Sequence, residues 1–131
     1  MSKALIVDDN RLNRDTLKRL LTRHFPSVTV EESSDGKEAM EKVESFQPDL
    51  VIMDIRLPDE SGLELTKKIK IMNPNVRVLI LTGHHYPEYK EVAARYGADG
   101  FLIKGGTSKE ILEVVDSFFS NAKESTIAKE Q

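Results

Sequence analysis

The chain contains no cysteine. That excludes disulfides, thiol nucleophiles and thiolate metal sites, and it suits a reducing compartment. It has no long apolar run either. No stretch approaches the roughly 20 residues that span a bilayer. A strong excess of one charge is also missing: the net charge is −3. Nothing in the overall balance points to nucleic acid or to an anionic membrane surface. Met1-Ser2-Lys3 passes straight into an apolar run, which leaves no room for a signal peptide. The expectation from these absences is a cytoplasmic protein that does not bind a membrane.

What is present describes one soluble domain. There are 131 residues, 39% of them hydrophobic and 31% charged, enough for a single sizeable core. No internal repeat and no second domain is visible.

The most informative stretch is Asp49-Leu50-Val51-Ile52-Met53-Asp54, followed by Ile55-Arg56-Leu57-Pro58. Four apolar residues run without alternation, as in a strand buried on both faces of a parallel sheet. Pro58 cannot donate to a ladder, so the strand ends before it. Asp54 therefore falls at the carboxyl end of a strand, where open α/β sheets place their ligand sites.

Similar units recur along the chain. Ala4-Leu5-Ile6-Val7 is another continuous apolar run, closed by Asp8-Asp9. Leu17, Leu20, Leu21 and His24 then follow a helical stripe, broken at Phe25-Pro26-Ser27. Val28-Thr29-Val30-Glu31 alternates with period two, as an edge strand would. Asp35 and Glu38 have capping-box spacing ahead of Ala39, Val43 and Phe46. After Pro58, Ser61 and Glu64 repeat that spacing ahead of Leu65, Ile69 and Met72. Residues 76–81 read as a strand ended by Thr82-Gly83, and Tyr89, Val92, Ala93 and Tyr96 as a helix stopped by Gly97. Phe101-Leu102-Ile103 is a short last strand before Lys104-Gly105-Gly106. Thr107 and Glu110 open a final helix with the stripe Ile111, Val114, Val115 and Phe118. Residues 120–131 lose the periodicity and read as a frayed helix end, with 121–131 a polar tail or the start of a linker after a domain of residues 1–120. Strands alternating with helices imply an α/β fold: a doubly wound, five-stranded parallel sheet, (βα)5, with right-handed crossovers.

In such a sheet all the strands' carboxyl ends lie on one side. The first strand delivers Asp8 and Asp9 there, the third Asp54, the fourth Thr82 and the fifth Lys104. Clustered carboxylates repel, and a hard divalent cation removes the conflict; oxygen donors plus water suit Mg²⁺. An ammonium, a hydroxyl and the open backbone of Gly83 complete a cradle for a phosphoryl group. An aspartate held there can accept one as an aspartyl phosphate.

With these residues in order on these elements, the chain resembles the response-regulator receiver domains of two-component signalling from Lys3 to Phe119. Asp8-Asp9 match the acidic pair, Asp54 the phosphoacceptor, Thr82 the switch hydroxyl, Phe101 the switch aromatic and Lys104 the active-site lysine. Pro58 and Gly62 match the loop after the acceptor. The resemblance implies a flavodoxin-like strand order 2-1-3-4-5, an order the receiver fold itself exemplifies. It implies Mg²⁺ held by Asp9 directly, Asp8 through water, Asp54, and the backbone carbonyl of Arg56. It implies Thr82 and Lys104 on the phosphoryl oxygens, and Phe101 turning inward on activation. The implied partner is a sensor histidine kinase or phosphotransfer protein, with a phosphorylation-dependent homodimer and no direct nucleic-acid contact by this domain. The role is a signalling switch rather than an enzyme, although it assists its own phosphotransfer and dephosphorylation. His24-Phe25-Pro26 adds a likeness to receivers joined to helix-turn-helix DNA-binding domains, hence to transcription regulation. One departure stands out: the family usually has proline after the lysine, where this chain has Gly105.

Other readings fit less well. A haloacid-type phosphatase needs a second aspartate two residues beyond the nucleophile, where this chain has Arg56. A flavodoxin-like cofactor site needs a hydroxyl- and glycine-rich phosphate loop after the first strand, where Asp8-Asp9 would repel a phosphate. A degenerate receiver acting only as a binding module would not need the intact set of site residues. His84-His85 are adjacent in a loop and do not converge on a metal, and Lys67-Lys68-Ile69-Lys70 reads as a solvated helix face.

Overall fold

The computed structural model describes residues 2–84 and 86–130, with side chains described through residue 120. Strands and helices alternate: β1 (Lys3–Val7), α1 (Arg11–His24), β2 (Thr29–Ser33), α2 (Gly36–Phe46), β3 (Leu50–Met53), α3 (Gly62–Met72), β4 (Arg77–Thr82), α4 (Pro87–Arg95), β5 (Gly100–Ile103) and α5 (Ser108–Glu130). The sheet has the order β2-β1-β3-β4-β5, and every pairing is parallel. The period-two strand is an edge strand as its alternation implied, although it runs on to Ser33.

The continuous apolar runs are explained by helices on both faces. Leu5, Val51 and Val78 stand in register across β1, β3 and β4. They pack against Ala39 and Val43 of α2, Leu65 and Ile69 of α3, and Ala93 of α4. The alternate residues Ala4, Ile6, Leu50, Ile52 and Leu79 face the other way, onto Leu17 and Leu21 of α1 and Val115 of α5. Each fully buried aliphatic side chain contributes about 1.5–3 kcal/mol. Two such layers hold the strand ends still.

Three expectations need correction. Met72 is 47% exposed, and the buried face of α3 is formed instead by Leu63, Leu65, Thr66 and Ile69. Met72 is the last residue of α3, where the chain leaves the helix at Asn73, and it lies at the rim of the layer near Met40 of α2. Lys70 is not part of a solvated face. Its ammonium is held by the Val76 carbonyl at 2.7 Å and Asp99 at 3.1 Å, its aliphatic stem covering Gly97. The final helix does not lose its form at residue 120 but runs to Glu130. Ala122, Lys123, Glu124, Ala128, Lys129 and Glu130 are strong helix formers, and propensity carries on where apolar periodicity stops.

Candidate functional site

Backbone hydrogen bonds continue the ladder one step beyond the strands and so aim the side chains that follow. Asp8 N–H donates to Ser33 O at 3.1 Å, Asp54 N–H to Val7 O at 2.9 Å and Lys104 N–H to Thr82 O at 2.7 Å. Asp8 is fixed further from both sides. Its Oδ1 accepts the Asn10 N–H at 2.9 Å, and its carbonyl accepts Arg14 Nη1 at 2.7 Å. Asn10 in turn caps α1 by accepting the Asn13 N–H. Arg14 ties the same loop to β2 through Glu32 at 3.1 Å.

Asp8, Asp9 and Asp54 each bring a carboxylate oxygen within 4.8 Å of the others. Asp8 and Asp54 are only 5% and 8% exposed, while Asp9 stands at the open rim. Lys104 Nζ reaches Asp8 Oδ2 at 2.7 Å and Asp54 Oδ2 at 3.1 Å. Half-burial disfavours its charge, but the Asp8 hydrogen bond and the Asp54 charge outweigh that and raise its pKa above the ordinary 10.5. Three carboxylates against one ammonium still leave two negative charges in a crowded space. The donor set is purely oxygen. A hard divalent cation matches both the charge and the donors; a soft one matches neither.

The loop that follows Asp54 is built to stay close. Gly62 N–H donates to Ile55 O at 2.6 Å, and Arg56 pairs antiparallel with Ser61. A Cβ on Gly62 would lie 1.9 Å from the Asp54 carbonyl oxygen, so only glycine fits there. Ser61 caps α3, but its hydroxyl accepts the Leu63 N–H and not that of Glu64. Glu64 is used elsewhere, accepting the Tyr96 hydroxyl at 3.3 Å.

Asp8, Asp9, Asp54, Thr82 and Lys104 thus arrive at one edge of the sheet. Thr82 is fully buried, and its Oγ1 accepts the His84 N–H at 3.2 Å. Gly83 has open space where a side chain would stand. Phe101 is half-buried against the core under α2, α3 and α4. Arg56 lies exposed at the mouth. After Lys104 the backbone turns through a positive φ of 97° at Gly105, and no cis peptide bond occurs among the described residues. Glycine here provides a left-handed turn, a different solution from proline. His85 lies outside the described residues, so the adjacent-histidine reading has only His84 to place.

Sequence reasoning missed three residues: Arg14, which holds the Asp8 carbonyl; Asp59, which accepts backbone N–H groups from α2; and, at the other end of the sheet, Asp99, which accepts one from β4. Long-range side chain to backbone bonds leave no periodic signal.

The fold and this edge place the chain in a known class. The family model for the response regulator receiver domain matches residues 4–116, and the chain belongs to that family. It is 34% identical over 113 residues to the transcriptional regulatory protein DegU of Brevibacillus brevis, covering 86% of this chain and 48% of that one. It is 33% identical over 121 residues to the response regulator protein VraR of Staphylococcus saprophyticus, covering 91% and 57%. The chain thus spans about half the length of these curated relatives. Among solved structures, a CheY-like receiver domain protein from Methanospirillum hungatei superimposes with a TM-score of 0.85 at 29% identity, covering 95% of this chain and 98% of that one. A response regulator from Burkholderia pseudomallei, with a phosphorylated aspartic acid, a calcium ion and citrate, gives 0.81 at 25% identity, covering 100% and 76%. Among the described residues, no helix is long and apolar enough to cross a membrane.

Proposed function

We propose that this domain is a phosphorylation-dependent switch in which Asp54 is the phosphoryl acceptor. The observation that supports it best is the cluster of Asp8, Asp9 and Asp54 within 4.8 Å, bridged by Lys104 at 2.7 and 3.1 Å. The donor is a phosphohistidine on a sensor kinase or phosphotransfer protein. A carboxylate oxygen of Asp54 attacks phosphorus, the P–N bond breaks, and its electron pair stays on the imidazole. The product is an acyl phosphate on this chain and a free histidine on the donor. The domain is therefore a signalling module, not an enzyme with an external product, and its setting is cytoplasmic.

Asp9, Asp54, the Arg56 carbonyl and, through water, Asp8 would hold Mg²⁺. Bound there, Mg²⁺ supplies neutralising charge for both the carboxylates and the incoming phosphoryl group. Lys104 does the part visible in this chain. It holds Asp54 in place and keeps a positive charge where the phosphoryl oxygens arrive, which stabilises charge developing in the transfer. Thr82 lies ready to donate its hydroxyl to a phosphoryl oxygen, and Phe101 responds to the space Thr82 leaves. The switching unit is residues 1–120, and residues 121–131 lead out of it. The transcriptional regulators among the relatives favour an output in gene regulation through a partner domain rather than through DNA contact by this one.

Acetyl phosphate with Mg²⁺ tests the reading by intact-mass measurement. The expected result is one added phosphoryl group on the parent and none on Asp54→Asn. Equal labelling of both proteins would remove Asp54 as acceptor.

A further inference from the structure

The loop between β3 and α3 is pinned at two places. At its base, Gly62 sits on the Asp54 carbonyl and donates to Ile55 O at 2.6 Å. At its tip, the Asp59 carboxylate accepts the Gly36 N–H at 2.8 Å and the Lys37 N–H at 3.0 Å. Those two groups belong to the first turn of α2, whose early N–H groups have no partner within the helix. Asp35 accepts the Glu38 N–H at 2.8 Å, so two carboxylates share one helix end. Asp35 is the local cap. Asp59 comes from another loop, 23 residues away in sequence.

The tip is seated as well as bonded. Glu60 lies over Gly36, where a Cβ would come within 2.9 Å of Glu60 Cγ, and Glu60 Oε2 meets Lys68 Nζ at 2.8 Å. Arg56 lies between the two anchors, two residues after Asp54 and three before Asp59. The Arg56–Ser61 bridge joins the two arms of the loop to each other but not to α2, so a loop fixed only at its base could still shift as a unit. Asp59 closes that freedom by strapping the tip to the positive end of the α2 dipole.

We propose that Asp59 is a positioning residue for the cation site: through α2 it holds the β3–α3 loop so that the Arg56 carbonyl faces Asp9 and Asp54. This rests on the metal-binding reading above. A pre-set ligand costs less conformational entropy when the cation arrives, so the effect falls on cation affinity.

The test is Mg²⁺ affinity, followed by amide chemical shifts in the parent, Asp59→Ala, Asp59→Asn and Asp35→Ala. Asp35→Ala removes a cap from the same helix end without touching the loop. Asp59→Ala is expected to weaken Mg²⁺ roughly three- to tenfold, at or below the low end for outer-shell partners of metal ligands, while Asp35→Ala stays within about twofold of the parent. Asp59→Asn, which keeps one acceptor oxygen, is expected between them. Parent-like affinity in Asp59→Ala would overturn the proposal and leave the metal site standing. Equal weakening in Asp35→Ala would reduce Asp59 to an ordinary helix cap and overturn it too. No Mg²⁺-dependent shifts in the parent would instead bring down the metal site itself, and this inference with it.

Discussion

Gly62 lies directly against the Asp54 carbonyl, with 1.9 Å between that oxygen and the position a Cβ would take. The first residue of α3 is thereby pressed onto the backbone of the proposed phosphoacceptor. No rotamer can relieve a clash between a Cβ and a backbone oxygen, so the loop itself must move. Gly62→Ala is expected to cost about 1–3 kcal/mol, the range for overpacking a tight site. It is also expected to lose most phosphorylation from acetyl phosphate at a temperature where circular dichroism shows the fold intact. Parent-like phosphorylation of a folded Gly62→Ala protein would separate the loop from the chemistry.

Asp9 offers a cleaner separation of stability from function. It stands exposed beside two buried carboxylates, with no hydrogen-bond partner among the described residues. Removing it relieves repulsion and breaks nothing. Asp9→Ala is expected to hold or raise the Tm while weakening Mg²⁺ on the order of tenfold, since affinity follows ligand charge. Thermal melts and a Mg²⁺ titration on the same samples check both halves. Unchanged affinity would take Asp9 out of the metal's ligand shell.

Much of this architecture is legible in the amino-acid sequence. The unbroken runs Ala4–Val7 and Leu50–Met53 require cover on both faces, and the two helical layers supply it. A parallel sheet then brings Asp8, Asp9, Asp54, Thr82 and Lys104 to one edge with no further information. What the sequence hides is what one residue does for a distant backbone. Lys70 reads as one of three solvated lysines, because neither the Val76 carbonyl nor Asp99 is close in sequence. Asp59 gives no signal in the sequence. Its partners are amides, which nearly every residue has, so no residue type announces them. Gly105 is visible only as a missing proline, and its φ of 97° shows what replaces the expected turn.

The Asp59 carboxylate is held below its ordinary pKa of 3.8, chiefly by the Gly36 N–H and against a smaller desolvation effect. A depressed carboxylate stabilises the fold fully above its unfolded value, and that contribution fades as pH falls through the folded value. Asp59→Asn is therefore expected to melt below the parent near neutrality, with the gap narrowing below 3.8. Paired melts from about pH 6 to about pH 3 measure it. A gap that stays constant across that range would assign the difference to shape rather than to charge.

Asp99 organises the far end of the sheet, away from the site. Its Oδ2 accepts the Val78 N–H at 2.9 Å and Lys70 Nζ at 3.1 Å, and Arg77 reaches Oδ1 at 3.3 Å. Lys70 and Asp99 are each about one-sixth exposed, at 17%. Asp99→Ala leaves the largely covered Lys70 ammonium with the Val76 carbonyl but no countercharge, and the Val78 N–H without that acceptor, which is expected to cost about 2 kcal/mol. Denaturant unfolding reads that loss. Phosphorylation of the folded variant is expected to match the parent, and a lowered rate would connect this end of the sheet to the chemistry.

Thr82 pairs with Ile103 across β4 and β5, and Ile80 pairs with Phe101. Residues two apart on a strand share a face, so Thr82 and Phe101 lie on the same side of the sheet at adjacent positions. Thr82 is fully buried and Phe101 only half-buried, so there is burial for the ring to gain. In the proposed switch, a dianion on Asp54 would attract the Thr82 hydroxyl away from the His84 N–H, and the vacated space would admit the ring. Tyr86 and Tyr89 pack edge to face on each other at the start of α4, 5.2 Å between centroids, and Tyr86 lines the same surface cleft as Phe101. On this proposal the ring's position would bias the surface of α4, β5 and α5. Lys90 and Arg95 are exposed on α4, whereas the exposed Glu113 and Asp116 of α5 line the groove toward α1 beside Leu20, His24 and Phe25. The cations of α4 and the carboxylates of α5 have opposite signs, and such charges on two copies of the domain can pair across a two-fold axis. A ligand shifts such an equilibrium only through contacts that differ between the states, and in the proposed switch Thr82 would make them. Sedimentation with beryllofluoride, a phosphoryl mimic, is expected to show self-association of the parent and none, or much less, of Thr82→Ala. Equal association of the two would place the switch elsewhere. A mimic that shifts amides near Asp54 but leaves those of residues 86–118 and the oligomeric state unchanged would show that this face does not carry the signal.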